Sequence, residues 1–227
     1  MHLTRRHALM LTTAQIALAG AAARVAFAED NVGKLETVEN EVWGTSVGAT
    51  RTAMAEAAAI FRNQKLETGD DSAAGVRFID ASKLTLGANA SAVIDEYVFA
   101  GAASRSVTTL TKGAFRFISG QMPETNMKIK TPTVTIGIRG TELKIDVYDD
   151  GATELSTVSG AASIVSNITN EALEILAGHS VSCDANGVMG LVRDFIHKSK
   201  DEAIERGLDE LRRRSPIPLP DLPNPFR

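Results

Sequence analysis

"KIKTPTVTIGIRGTELKIDV", residues 128–147, places two runs rich in Thr, Val and Ile on either side of Gly137-Ile138-Arg139-Gly140-Thr141. β-branched side chains are stiff and fit a pleated surface, so both runs read as strands. In the second, Leu143, Ile145 and Val147 share one face, and Glu142, Lys144, Asp146 and Tyr148 share the other. A strand so charged on one face reads as wet there, which disfavours an α/β fold with a parallel sheet covered on both sides. The stretch is therefore expected to be two strands, Lys128 to Ile136 and Thr141 to Tyr148, joined at a glycine hinge, with Pro132 marking an edge or bulge.

Outward from this stretch the pattern repeats. Runs such as Gly75 to Ile79, Lys83 to Leu86, Ala92 to Phe99, Ala114 to Ile118, Thr153 to Val158 and Ser180 to Cys183 are separated by turn residues. Phe115 and Phe117 lie on one face opposite Arg116. Short strands at this spacing predict an all-β domain over 42–183, a jelly-roll-like or β-solenoid-like sandwich. The alanine-rich stretch Thr52 to Phe61 fits either a short helix or a loop over the first strands. After Gly190 the period changes: Leu191, Phe195, Ile204, Leu208 and Leu211 recur mostly three or four apart among charges, predicting a C-terminal amphipathic α-helix over 190–215. Its basic end, Arg212 to Arg214, suits the negative pole of a helix, and Ser215-Pro216 stops it. Five of the seven prolines follow, making 216–227 a Pro-rich extended tail.

The first residues read as a processing signal. Arg5-Arg6 opens a basic start, a weakly apolar stretch follows, and Ala26 and Ala28 supply the small residues of a cleavage site. Residues 1–28 are thus expected to be an export signal, with Thr4 to Leu9 partly matching the twin-arginine pattern. The mature protein is then expected to be periplasmic or secreted, without a stable membrane span, because Thr12, Thr13 and Gln15 dilute the only candidate. Loss of 1–28 removes three arginines and no acid, leaving 21 basic against 28 acidic residues. Such a balance argues against nucleic acid or an anionic bilayer as the main partner.

The residues offer little chemistry. Cys183 is the only cysteine, which excludes an intramolecular disulfide and a thiolate cluster, and it reads as a half-buried strand residue. His2 and His7 belong to the signal, leaving His179 and His197 far from a metal pattern. The acid pairs Asp70-Asp71, Asp95-Glu96 and Asp149-Asp150 are adjacent in sequence, at turns or on opposite strand faces, so none makes an acid/base pair. Neither a nucleophile elbow nor a dinucleotide fingerprint is present. The expectation is no catalytic residue, no metal and no cofactor.

Several stretches carry a resemblance. Lys65 to Gly69, Phe78 to Ala90, Lys112 to Gly120, Lys130 to Thr141 and Val158 to Ile164 are similar, in this order, to the strands and turns of the FecR domain, a periplasmic module named after a ferric-citrate regulator. Ala81 and Ser159 depart from the residues usual in that family. The resemblance makes Gly137, Arg139, Gly140 and Thr141 a family hallmark turn, and implies no catalytic group. On the residues alone, Arg139 could donate to carbonyls and pin a corner, or could receive an anion. The chain would be a stand-alone exported form, lacking the anti-sigma segment and transmembrane helix of the signalling type. The expected function is a protein-binding or signalling module of the cell envelope, with an envelope protein as partner. The alternative is a carbohydrate- or surface-polymer-binding module, and an enzyme comes third.

Overall fold

The computed structural model describes residues 30–123 and 126–195, and its regular structure is β throughout, apart from one 3-10 turn at Gly101–Ala103. The strands begin with β1 (Asn31–Glu39), β2 (Val42–Thr45), β3 (Thr52–Ala53), β4 (Ala59–Phe61) and β5 (Lys65–Thr68). The middle of the chain forms β6 (Ala73–Phe78), β7 (Lys83–Leu86), β8 (Ser91–Val98), β9 (Arg105–Ile118) and β10 (Met127–Lys130). The rest are β11 (Val134–Val147), β12 (Thr153–Ser166), β13 (Ala172–Leu176), β14 (His179–Cys183) and β15 (Arg193–Asp194).

All of them join one hydrogen-bonded network, organised by the 14-residue strands β9, β11 and β12. Each of these serves two sets of neighbours. β9 pairs β8 and β10 in its first part, then β7 and β11 from Gly113 to Ile118. β11 pairs β10 in its first part and β9 from Glu142 to Val147. β12 pairs β14 from Thr153 to Thr157 and β13 from Ala161 to Val165. The long strands thus cross between a first group (β4, β1, β6, β7, β14, β15) and a second (β3, β2, β5, β8, β10, β13). They cross at Gly113, Gly140 and Gly160, where φ is 106°, 59° and 72°. Bulged bends of this kind let a strand leave one layer and enter another.

Both groups point into one core. Leu35, Val76, Leu84, Phe115, Leu143 and Leu155 come from the first, and Leu66, Ile94, Leu110, Ile129, Ile136 and Ile164 from the second, all at 1% exposure or less. Each such side chain contributes roughly 1.5–3 kcal/mol by leaving water.

Four expectations change. Residues 128–147 are not two strands about a glycine hinge: β11 runs unbroken through Gly137 and Gly140. The hairpin closes earlier, at Thr131-Pro132-Thr133, with Lys128 opposite Gly137 and the Val134 N–H donating to Thr131 Oγ1 at 3.1 Å. Pro132 therefore sits at a turn tip, where its missing N–H costs nothing. Thr52 to Phe61 holds neither helix nor plain loop but β3 and β4. A strand not expected from the sequence, β1, precedes Val42 and pairs β6 and β4. Finally, 190–195 is extended where a helix was expected, with Asp194 opposite His179 and Arg193 opposite Ser180. The rest of that helix, the signal segment with Ala26 and Ala28, and the tail 216–227 lie outside the described residues. No helix among the described residues is long and apolar enough to cross a membrane.

Candidate functional site

Of the four residues expected to form a hallmark turn, Gly140 and Thr141 lie where β11 and β12 bend together. Gly140 and Gly160 both have positive φ, and a Cβ on Gly160 would run into the Gly140 carbonyl oxygen, with the Arg139 oxygen 3.0 Å away. Only two glycine backbones can approach this closely in that conformation. Thr141, 2% exposed, fastens the corner: its hydroxyl donates to the Ser159 carbonyl at 2.6 Å and its N–H to Ser119 Oγ at 2.9 Å. The Ser119 N–H returns a bond to the Thr141 carbonyl at 3.0 Å, and the Glu142 N–H reaches Ser159 Oγ at 3.2 Å. Ser159, a departure from the family pattern, is thus bonded on both sides of the bulge. Gly137 stands apart from this knot, inside the strand, where a Cβ would meet Ser163 Oγ at 2.5 Å.

Arg139 points elsewhere. Its Nη1 donates to Glu174 Oε1 on β13 at 2.9 Å, with both side chains more than half exposed (62% and 53%). It bonds a carboxylate across two strands rather than corner carbonyls, so the corner is held by Gly140, Gly160 and Thr141.

A second cluster joins the two groups at the β6–β7 turn. Asp80 is fully buried and accepts from the Ser82 N–H at 2.9 Å, the Ser82 hydroxyl at 2.6 Å, the Met122 N–H at 3.3 Å and the Tyr97 hydroxyl of β8. Tyr97 stacks on Phe78, ring centres 4.8 Å apart. Burial first, then its bond to Asp80, drive the Tyr97 hydroxyl well above the usual tyrosine range. Ala81, the other departure from the family pattern, sits at φ 68°, a left-handed position natural to the glycine usual there. Sequence reading saw Asp80 only as a turn residue. Its buried partners come from β8 and from the 119–123 segment, far away in the chain.

Two adjoining clefts share Asn89 and Lys112. One, of about 310 Å³, runs past Trp43, Glu67 and Asp70; the other, of about 430 Å³, passes Asp146, Tyr148 and Asp149. The indole of Trp43 carries the Arg51 guanidinium 3.7 Å from its ring centre, and Gly69 abuts its edge closely enough that a Cβ would lie 3.2 Å from the ring. Cys183 is 1% exposed rather than half-buried, and burial pushes its thiol above the ordinary value. Among the described residues no three His, Cys, Asp or Glu side chains stand together as a metal site.

The second group ends in an open edge. Among the described residues β13 pairs β12 alone, and its flanking bonds fix which of its peptide groups face out. Ser166 N–H donates to the Glu171 carbonyl at 2.9 Å and Ala177 N–H to the Gly160 carbonyl at 3.0 Å, so alternation turns Ala172, Glu174 and Leu176 away from β12. Leu176 is 56% exposed.

The sequence profile of the family described as FecR protein matches residues 64–163. Two crystal structures of a candidate anti-sigma factor from Parabacteroides distasonis ATCC 8503 are similar to part of the chain at 13% identity, with TM-scores of 0.48 and 0.47. In both the likeness covers 57% of this chain and 59% of the solved one, so it spans less than two thirds of that protein. No curated protein matches the sequence. The matched span runs from Gln64, just before β5, into the second half of β12 and takes in the Asp80 cluster and the corner at Gly140. Residues 64–163 of this chain thus carry a match to the FecR family.

Proposed function

We propose that this protein is a non-catalytic, exported FecR-domain module of the bacterial cell envelope, periplasmic or secreted, that signals or regulates by binding another envelope protein. The observation that carries this reading is the open β13 edge beside the family's corner. An unpaired strand edge is a template for an extended segment of a partner, with main-chain bonds giving affinity and side chains choosing the sequence. Ala172, Glu174 and Leu176 present that edge, and the exposed Arg139–Glu174 pair flanks it. Export rests on the arginine pair, the weakly apolar stretch and the small residues before position 29.

The polymer-binding alternative needs an aromatic ring with a free face. Trp43 has Arg51 over one face, while Tyr148, 42% exposed beside the larger cleft, is the ring on which that alternative would stand. Crosslinking the protein in its native envelope, followed by mass spectrometry, tests the reading. A protein partner is expected. Recovery of polysaccharide alone, or turnover of a model substrate by the purified protein, would overturn it.

A further inference from the structure

We infer that the β13 edge takes an extended segment of another protein in which a Lys or Arg stands between two apolar residues, and that it does not take a second copy of this chain. The inference rests on the reading that this edge receives a partner, and it names that partner's chemistry.

Register fixes the two faces of the edge. Ala172, Glu174 and Leu176 stand opposite Val165, Ser163 and Ala161 of β12. Their neighbours Ala162, Ile164 and Ile175 are fully buried in the core, so these six side chains lie on the outer face. That face is built low. Gly137 stands opposite Ser163 and Arg139 opposite Ala161, so only small residues separate Arg139 from Glu174. The guanidinium reaches across them and donates to Glu174 Oε1 at 2.9 Å. Glu174 Oε2 has no partner among the described residues, and the side chain is 53% exposed on the outermost strand. β13 itself carries this acid and no base. A cation on an added strand, opposite Glu174, meets that second oxygen in a favourable cross-strand pair.

The inner face asks for apolar groups. Ile175 is fully buried, whereas Leu173 packs against the core and is only half-buried. Residues of an added strand opposite Leu173 and Ile175 point toward the core, and apolar side chains there close the edge. Alternation therefore dictates the order apolar, basic, apolar, whichever way the segment runs.

A second copy fits badly. The outward N–H and carbonyl groups belong to Ala172, Glu174 and Leu176, and the twofold pairing that uses all of them centres on Glu174. It would set two Glu174 carboxylates directly opposite each other, where like charges destabilise. A charge in the middle of an exposed edge is one of the devices that keep such edges from pairing with their own kind.

The test uses the full chain and two fluorescent peptides, Thr-Thr-Val-Lys-Val-Thr-Thr and its twin with Glu in place of Lys, titrated by anisotropy. The Lys peptide should bind about fivefold more tightly than its twin, Glu174→Lys should reverse that order, and Ala172→Pro should abolish binding of both. Equal affinity for the two peptides, still lost in Ala172→Pro, would overturn the inference and leave the edge reading standing. Binding that Ala172→Pro leaves alone, or no binding of either peptide, would overturn both. Sedimentation should find a monomer; a dimer that Ala172→Pro splits would assign the edge to a second copy and overturn the inference.

Discussion

Asp80 shows why single residues decide this fold. A buried carboxylate is tolerated only when its oxygens are fully bonded, and here the donors come from the β6–β7 turn, from β8 and from the Met122 backbone. Tyr97→Phe removes one donor and should cost about 1–3 kcal/mol at pH 7, read from urea unfolding. The pH dependence has a definite sign. Folding holds the Tyr97 proton above the ordinary value of 10.0, so its contribution is complete below pH 10 and declines as pH rises beyond it. The stability gap between the wild type and Tyr97→Phe should therefore be smaller at pH 11 than at pH 7; an unchanged gap would contradict the buried, protonated tyrosine. Arg139 gives the opposite case. Its pair with Glu174 is exposed and worth little, so Arg139→Ala should change stability by less than about 1 kcal/mol. A larger loss in thermal or urea unfolding would mean that it pins the corner after all. Alternation alone assigned Leu143, Ile145, Val147, Phe115 and Phe117 to the core, where they are. It could not reveal that Arg116, Glu142 and Lys144 are buried too.

Among the elements, the β11–β12 corner determines how the two strand groups join. Gly160→Ala would press a Cβ against the Gly140 carbonyl at positive φ, and we expect a loss of about 2–4 kcal/mol. Gly48→Ala, at φ 71° with open space around it, isolates the conformational part and should cost about 1 kcal/mol. Similar losses at the two sites would mean that the close approach contributes nothing. The reading of 128–147 failed at this scale for an identifiable reason. A left-handed glycine serves a bulge inside a strand as well as a turn between strands, and no local pattern separates the two. Pro132 held the better signal, because a proline between Thr131 and Thr133 can end a strand cleanly. β3, β4 and β15 span two or three residues, too short to show a period, and are strands only through their partners. At 190–195, pairing with β14 overrides a helical spacing read mainly from later residues.

For the whole molecule, order along the chain said more than any one motif. Resemblance across successive hairpins pointed to the family, and the FecR profile matches residues 64–163. The fold itself extends further, from β1 at Asn31 to β15 at Asp194, because both groups need these strands to cover the core. Function is written less plainly, since an open edge is a property of assembled strands. The central claim is that β13 receives the partner. Its most direct test compares crosslinked capture in the native envelope by the wild type and by Ala172→Pro, which removes an outward N–H without touching the bonds to β12. The account expects equal melting temperatures and loss of the captured protein from the variant. Equal capture by both, with the same partner attached at the same site, would contradict it.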